Sequence, residues 1–350
     1  MGNLPVPHAP PRSRASAWPV NRARLSALLT AALAAAILAV PTATGSGEAE
    51  QRSGEVAIFY YPWYSNPVRD GRWAHWYVER EGAHVLSTPY YPRRGLYSSS
   101  SQRIVDAHMA EIRAAGVDTV IVSWWGTGST EAARLALVTD AARRHRLDVA
   151  IHLEPYGGRT PVRAGHDIER LHADGYDDFY VYDADRDPTS EWAEALGDLD
   201  GVRVFGHTTF VGRAQASGFH GLYTYDVLTW TGPTFRRLCT QARKAGLLCA
   251  PSVGPGFDAR LATELVGIRS RAHGATYDRM WRHAIAASAD LVTITSYNEW
   301  QEGTQIEPAR LQVGRPAYDG AWGRVGVAAQ RAYLEATARW SARFGAPVSE

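Results

Sequence analysis

The chain has 350 residues, enough for one large domain or two, and its 45% hydrophobic content can bury a sizeable core. Its 37 basic and 36 acidic side chains nearly cancel, and no basic stripe runs through it, which argues against nucleic acid or another polyanion as partner. At the amino terminus Arg12, Arg14, Arg22 and Arg24 precede the acid-free apolar run Leu25–Val40, and small residues follow at Thr42-Ala43-Thr44-Gly45. This is the layout of a secretory signal peptide over residues 1–44, and the run is short for a spanning helix of about 20 residues, although an uncleaved anchor is the competing reading. Residues 45–53 read as a polar linker, and residues 54–346 as the folded domain, expected to act as a monomer.

From Gly54 onward short β-like runs alternate with helix-like runs. Strands are predicted at Val56–Tyr61, Thr119–Ser123, Val149–Leu153, Asp178–Tyr182, Val202–Gly206, Gly221–Tyr225, Leu247–Pro251 and Leu291–Ser296. Helices are predicted at Arg103–Ala115, stopped by Gly116, and at Glu131–His145. About eight strands separated by helical segments is the pattern of a (β/α)8 barrel, an α/β fold with extended βα loops. The segment from Asn66 to Ser101 shows little regular pattern but carries His75, Trp76, Tyr90-Tyr91-Pro92 and Tyr97, and reads as one wall of a cleft. Cys239 and Cys249, expected on a helix and on the strand after it, are either disulfide-bonded or two small buried thiols, and two cysteines cannot build a metal site alone.

The residues just after each predicted strand are mostly polar or aromatic: Pro62-Trp63-Tyr64, then Trp124-Trp125-Gly126, Glu154-Pro155-Tyr156, Asp183, His207, Asp226 and Ser252-Val253-Gly254. A barrel puts its active site at that rim. The richest stretch comes after the last strand: Ser296-Tyr297-Asn298-Glu299-Trp300-Gln301-Glu302-Gly303-Thr304-Gln305-Ile306-Glu307. Glu299 and Glu302 share a face in any helical turn, with Cβ atoms about 5–6 Å apart. Carboxylates that close separate in proton affinity, one kept protonated and one ionised, as acid/base cleavage of a glycosidic bond requires. Most Glu-x-x-Glu pairs are solvated helix faces. Here Tyr297 and Trp300 interleave the pair, and Asn298 and Gln305 offer amides, a mixture suited to hydroxyls and to the C–H face of a sugar. His152 beside Glu154 lacks further ligands at metal spacing and reads as a hydrogen-bonding histidine; no HExxH motif, phosphate-binding loop or GxSxG elbow occurs. No metal or cofactor is expected.

These blocks resemble glycoside hydrolase family 99, the endo-α-1,2-mannosidases and mannanases. The resemblance lies in Ile58–Pro67, Gly95–Ser99, Val122–Trp125, Ile151–Tyr156, Phe179–Asp183, Gly218–Tyr225, Pro251–Gly256 and the Ser296–Glu307 stretch, in the family's order. It implies a retaining enzyme that cuts internal α-1,2-mannosidic bonds of mannan or high-mannose glycans and releases a disaccharide such as mannosyl-α-1,3-mannose. It also implies that Glu302 is the general acid/base and Glu299 the base for the substrate's own 2-hydroxyl. Tyr61, Tyr64, His75, Glu154, Tyr182, Tyr223 and Tyr225 would line the cleft beside Asn298 and Trp300, and Trp125 would stack on the outer sugar. Gln301 departs from the family, where many members have histidine. Two alternatives stand beside this reading. One is an ordinary retaining pair with Glu154 as nucleophile and Glu299 as acid/base; the other is a secreted mannan-binding protein without catalysis.

Overall fold

The computed structural model describes residues 54–346. Eight parallel strands close into a barrel: β1 (Glu55–Tyr60), β2 (Thr119–Trp124), β3 (Asp148–Leu153), β4 (Asp178–Val181), β5 (Arg203–His207), β6 (Gly221–Tyr223), β7 (Leu248–Ala250, resumed at Ser252–Val253) and β8 (Leu291–Ile294). The break in β7 falls at Pro251, which has no N–H to give to a ladder. Its carbonyl still accepts from Thr293 N at 3.2 Å, so β7 and β8 remain joined. The barrel closes through β8 on β1, Glu55 facing Leu291 and Ile58 facing Ile294. β1 and β2 are buried along their whole length, which is why they read as unbroken apolar runs instead of alternating ones.

One principal helix follows each strand: Gln102–Ala114, Thr130–Arg144, Pro161–Ala173, Thr189–Leu196, Val211–Ala216, Phe235–Lys244, Ala275–Ala286 and Ala332–Phe344. Local chemistry sets several of their starts. Ser129 Oγ accepts from Ala132 N at 3.0 Å, and Thr160 Oγ1 accepts from Arg163 N at 3.2 Å with Pro161 in the first turn. The predicted helices at 103–115 and 131–145 lie within one residue of those observed. Cys239, in the sixth helix, is disulfide-bonded to Cys249 in β7, with Cα atoms 5.1 Å apart. The bridge ties the helix to the strand that follows it.

The barrel interior is filled with rings. Phe59 of β1 lies 4.7 Å from His152 of β3, 6.0 Å from Tyr180 of β4 and 5.7 Å from Tyr223 of β6, and Tyr180 stacks on Phe205 of β5 at 4.8 Å. Much of the chain's aromatic content is therefore core.

Four predicted strands run past the observed ends, and at each the ladder gives way to the rim. Tyr61 N donates to the Asn298 side chain at 2.8 Å instead of to a neighbouring strand, Tyr182 follows the end of β4, Tyr225 adopts φ +36°, and beyond Ile294 Ser296 N donates to Thr304 O at 3.0 Å. The segment from Asn66 to Ser101 is more regular than its sequence suggests. It holds a short helix at Pro67–Asp70, capped by Asn66, and a hairpin pairing Tyr77–Arg80 with Ala83–Leu86. The hairpin escaped notice because its strands are exposed or half-buried and lack alternation, and because its turn is Glu81-Gly82, both at positive φ, instead of the usual Asn-Gly. Among the described residues no helix is long and apolar enough to cross a membrane. The predicted leader and linker lie outside the described residues.

Candidate active site

β8 ends at Ile294, and its chain turns through a cis Thr295–Ser296 peptide into a single 3-10 turn at Trp300–Glu302, with Glu299 just before it. A network beneath holds this turn. Asn298 Oδ1 accepts from Tyr61 N, and its Nδ2 donates to Tyr61 O at 3.0 Å. Tyr64 Oη donates to Asn298 O at 2.9 Å and accepts from Trp300 N at 3.0 Å. Trp300 Nε1 donates to Glu307 at 2.8 Å, Tyr97 Oη donates to the same oxygen at 2.7 Å, and His108 Nε2 lies 3.1 Å from the other. The first βα loop is fixed by Arg134, which donates to Pro62 O, Tyr64 O and Ser65 Oγ at 2.7–3.1 Å.

The two central carboxyls sit on this support. Glu299 is buried, and Glu302 is half-buried. Tyr225 Oη donates to Glu299 and shares a hydrogen bond with Tyr61 Oη, which makes a short tyrosine relay ending on the carboxylate. Burial first, then the neighbouring Glu302, pushes Glu299 well above the ordinary carboxyl range. Burial together with the Asp226 and Glu154 charges pushes Glu302 up to about 7, against the hydrogen bond it accepts from Glu299. The pair loses its first proton near neutrality and its second well above that. In between it carries one proton shared by two carboxyls, which is both an acid and a base.

The third carboxylate, Glu154, is buried at the end of β3. Its Oε1 accepts from Ser123 Oγ at 2.8 Å and lies 3.0 Å from His152 Nδ1; His152 Nε2 shares a hydrogen bond with Tyr223 Oη at 2.8 Å. Trp125 Nε1 donates to the same Ser123 Oγ at 3.2 Å, while the indole remains 36% exposed at the rim. Tyr182 is half-buried, stacks on His207 at 4.6 Å and meets Tyr225 edge-on at 5.4 Å. His75 stacks on Trp63 at 4.5 Å, and Trp63 meets Tyr61 at a tilt with ring centroids 4.5 Å apart. Burial lowers His75 to about 4, so it is a neutral ring hydrogen-bonded to Gln301. Gln301 also donates to Ser87 Oγ at 3.2 Å, and Ser87 Oγ donates to His75 O.

The twelve residues singled out in the sequence thus fall into two groups. Glu299, Glu302, Tyr61, His75, Trp125, Glu154, Tyr182 and Tyr225 gather around the mouth of the barrel. Tyr64, Asn298, Trp300 and Tyr223 are fully buried with their polar atoms engaged inside, so they hold the site and offer no face to a ligand. Sequence reasoning missed Glu307, His108, Arg134 and the charge of Asp226 on Glu302. Glu307, inside the polar stretch and next to an apolar Ile, and Asp226, at the rim after the sixth predicted strand, carried a local signal; His108 and Arg134 carried none.

A family model for glycosyl hydrolase family 99 matches residues 53–346. The glycoprotein endo-alpha-1,2-mannosidase-like protein of Danio rerio is 30% identical over 83% of this chain and 78% of its own length. The glycoprotein endo-alpha-1,2-mannosidase of Mus musculus is 27% identical over 82% of this chain and 74% of its own. Among solved structures, the family 99 endo-alpha-mannosidase from Bacteroides thetaiotaomicron superposes with a TM-score of 0.73 at 27% identity, over 83% of this chain and 97% of that one.

Proposed function

This chain belongs to glycosyl hydrolase family 99, and we propose that it is an endo-acting α-1,2-mannosidase. It hydrolyses internal α-1,2-mannosidic bonds of mannan or high-mannose glycans with retention, releasing a disaccharide such as mannosyl-α-1,3-mannose. The observation that carries the reading is the proton-sharing pair Glu299 and Glu302, with Tyr225 donating to the first.

In an α-mannoside the 2-hydroxyl and the leaving oxygen are trans and both axial. O2 can therefore attack C1 from the rear while the C1–O bond to the leaving group breaks, closing a 1,2-anhydro sugar. Glu299 takes the O2 proton and Glu302 protonates the leaving oxygen. Water then attacks C1, Glu302 removes its proton, the C1–O2 bond opens, and Glu299 returns the proton to O2. Two inversions give net retention, one of the recognised exceptions to the two-carboxylate scheme. In the free protein the shared proton lies toward Glu299. A sugar 2-hydroxyl would join Tyr225 as a second donor to Glu299, favour its ionised form, and shift the proton across to Glu302. Trp125, at the exposed rim, would stack on the outer sugar, with Glu154, Tyr182 and Tyr61 beside the mannose whose C1–O bond is cleaved. The basic residues and apolar run ahead of Val40 support export of the enzyme by a leader peptide.

The test is a digest of an α-1,3/α-1,2-linked mannan oligosaccharide by wild type, Glu299→Gln, Glu302→Gln and Glu154→Gln, following product and anomer by NMR. Disaccharide released first as the α-anomer, and lost with either of the first two variants, is the expected result. A fully active Glu302→Gln with an inactive Glu154→Gln would transfer the chemistry to Glu154 and Glu299. Binding without cleavage by wild type would make the protein a lectin.

A further inference from the structure

Among the described residues, every exposed large apolar side chain lies between the end of a barrel strand and the first turn of the principal helix that follows it. The rest of those helices and the loops at the other end of the barrel carry none. Apolar exposure confined to the face that holds the carboxyl pair marks that face as a binding surface wider than the pair itself. Three of these side chains are aromatic: Trp73 in the loop after β1, Trp125 after β2 and Phe210 after β5. We infer that Trp73, with Tyr77, is a second sugar platform, taking a neutral hexose of the glycan on the leaving-group side of the cleaved bond.

Two separate links place this pair beside the catalytic turn. Along the chain Trp73 is two residues from His75, at most about 7 Å when extended. The His75 ring is hydrogen-bonded to Gln301, between Glu299 and Glu302. Across the hairpin Tyr77 faces Leu86, and the next residue, Ser87, accepts from Gln301 Nε2 at 3.2 Å. The side of the mouth is fixed as well. Arg80, on the Tyr77 strand, donates to Arg260 O at 2.7 Å and to Thr263 O at 3.2 Å in the loop after β7. The hairpin therefore leans across β8 toward β7, whereas Trp125 is tied through Ser123 to Glu154, at β2 and β3. A glycan with its outer sugar on Trp125 and its cleaved bond at Glu302 would run on toward Trp73. The platform is held ready for it. Trp73 is 41% exposed, its ring meets Tyr77 edge-on at 5.1 Å, and the adjacent Ala74 exchanges both backbone bonds with Ser65 at 3.2 Å. Little freedom is left to lose on binding. The indole suits the C–H face of a pyranose, and the Tyr77 hydroxyl can donate to or accept from a sugar hydroxyl.

The leaving-group side follows from the endo-acting reading; binding by the platform does not. Wild type, Trp73→Ala and Trp73→Phe are assayed on two mannosides with the same outer sugars and cleaved bond, one releasing a single leaving sugar and one releasing a longer chain. In parallel, an α-linked mannotriose without α-1,2 bonds, which offers nothing to cut, is titrated into each protein by calorimetry. Trp73→Ala should lower kcat/KM on the long substrate about 3- to 10-fold, mainly through KM, and weaken mannotriose binding by a similar factor. The short substrate should change less than about twofold, and Trp73→Phe should recover most of both losses. Mannotriose binding that depends on Trp73 would uphold the platform even if no mannoside were cleaved. An equal loss on both substrates, no mannotriose binding by wild type, or an affinity unchanged in Trp73→Ala would overturn it. So would a wild-type dimer that Trp73→Ala dissociates in sedimentation, which would give the patch to a second copy of the chain.

Discussion

Replacing Tyr225 by Phe removes the hydroxyl that donates to Glu299 and leaves the ring contacts with Phe59 and Tyr182 in place. A hydrogen bond to a charged group contributes about 1.5–3 kcal/mol, and one pKa unit corresponds to about 1.36 kcal/mol, so the ionised form of Glu299 becomes harder to reach by about 1–2 pH units. The sign comes from the pair. The first proton leaves near pH 7 from Glu302, and Glu299, pushed well above the ordinary carboxyl range, keeps the second. Losing the donor to Glu299 therefore leaves the acidic limb of kcat/KM near 7, makes the working form with Glu299 ionised and Glu302 protonated rarer, and moves the basic limb to higher pH. Across the range between the limbs the variant should be about 10- to 100-fold slower. The assay is initial-rate cleavage of one mannan oligosaccharide between pH 5 and pH 10. An acidic limb moved upward, or a rate undiminished between the limbs, would refute the relay.

Three further outcomes are expected. Glu302→Gln should lower kcat/KM about 10²- to 10⁴-fold on natural glycan, and far less on an α-mannosyl fluoride, which needs no acid. On the fluoride its acidic limb should lie above that of wild type, since Glu299, which burial makes the tighter-held proton of the pair, is then the group that must ionise; a downward shift would contradict the shared proton. Gly254→Ala places a Cβ against Val227 and 2.7 Å from Thr295 O, under the first residues beyond β8, and should cost about 1–3 kcal/mol. Calorimetry should register this as a Tm lowered by several degrees, and an unchanged Tm would mean the wall yields. Opening the Cys239–Cys249 bridge, whose partners are 10 residues apart, should remove about 3 kcal/mol of stability by the chain-entropy relation. Denaturant titration of Cys249→Ala would measure it, and an undiminished midpoint would show the bond to be incidental.

The barrel was legible in the sequence because strands such as β1, β2 and β8 are buried along their length and rich in β-branched and aromatic residues, and burial on both faces writes a continuous apolar run into a single segment. The carboxyl pair was legible for a similar reason. Glu299 and Glu302 are local neighbours, and the strand before them says which end of a barrel they occupy. The meetings across the mouth could not be read. Tyr225 reaches Glu299 from 74 residues away, Tyr97 reaches Glu307 from 210 away, and Arg271 reaches Gly303 from 32 away. Strand register and barrel closure alone bring these groups together. Nor does any local pattern separate Tyr61, whose hydroxyl joins the relay, from Tyr64, whose hydroxyl is consumed under the turn. The sequence determined which elements form and which chemistry stands at their ends, since both depend on near neighbours. The proton affinities, the division between ligand-facing and supporting residues, and the pairing of Trp73 with Tyr77 were decided by tertiary structure, because burial and electrostatic interaction are set by distance in space and not along the chain.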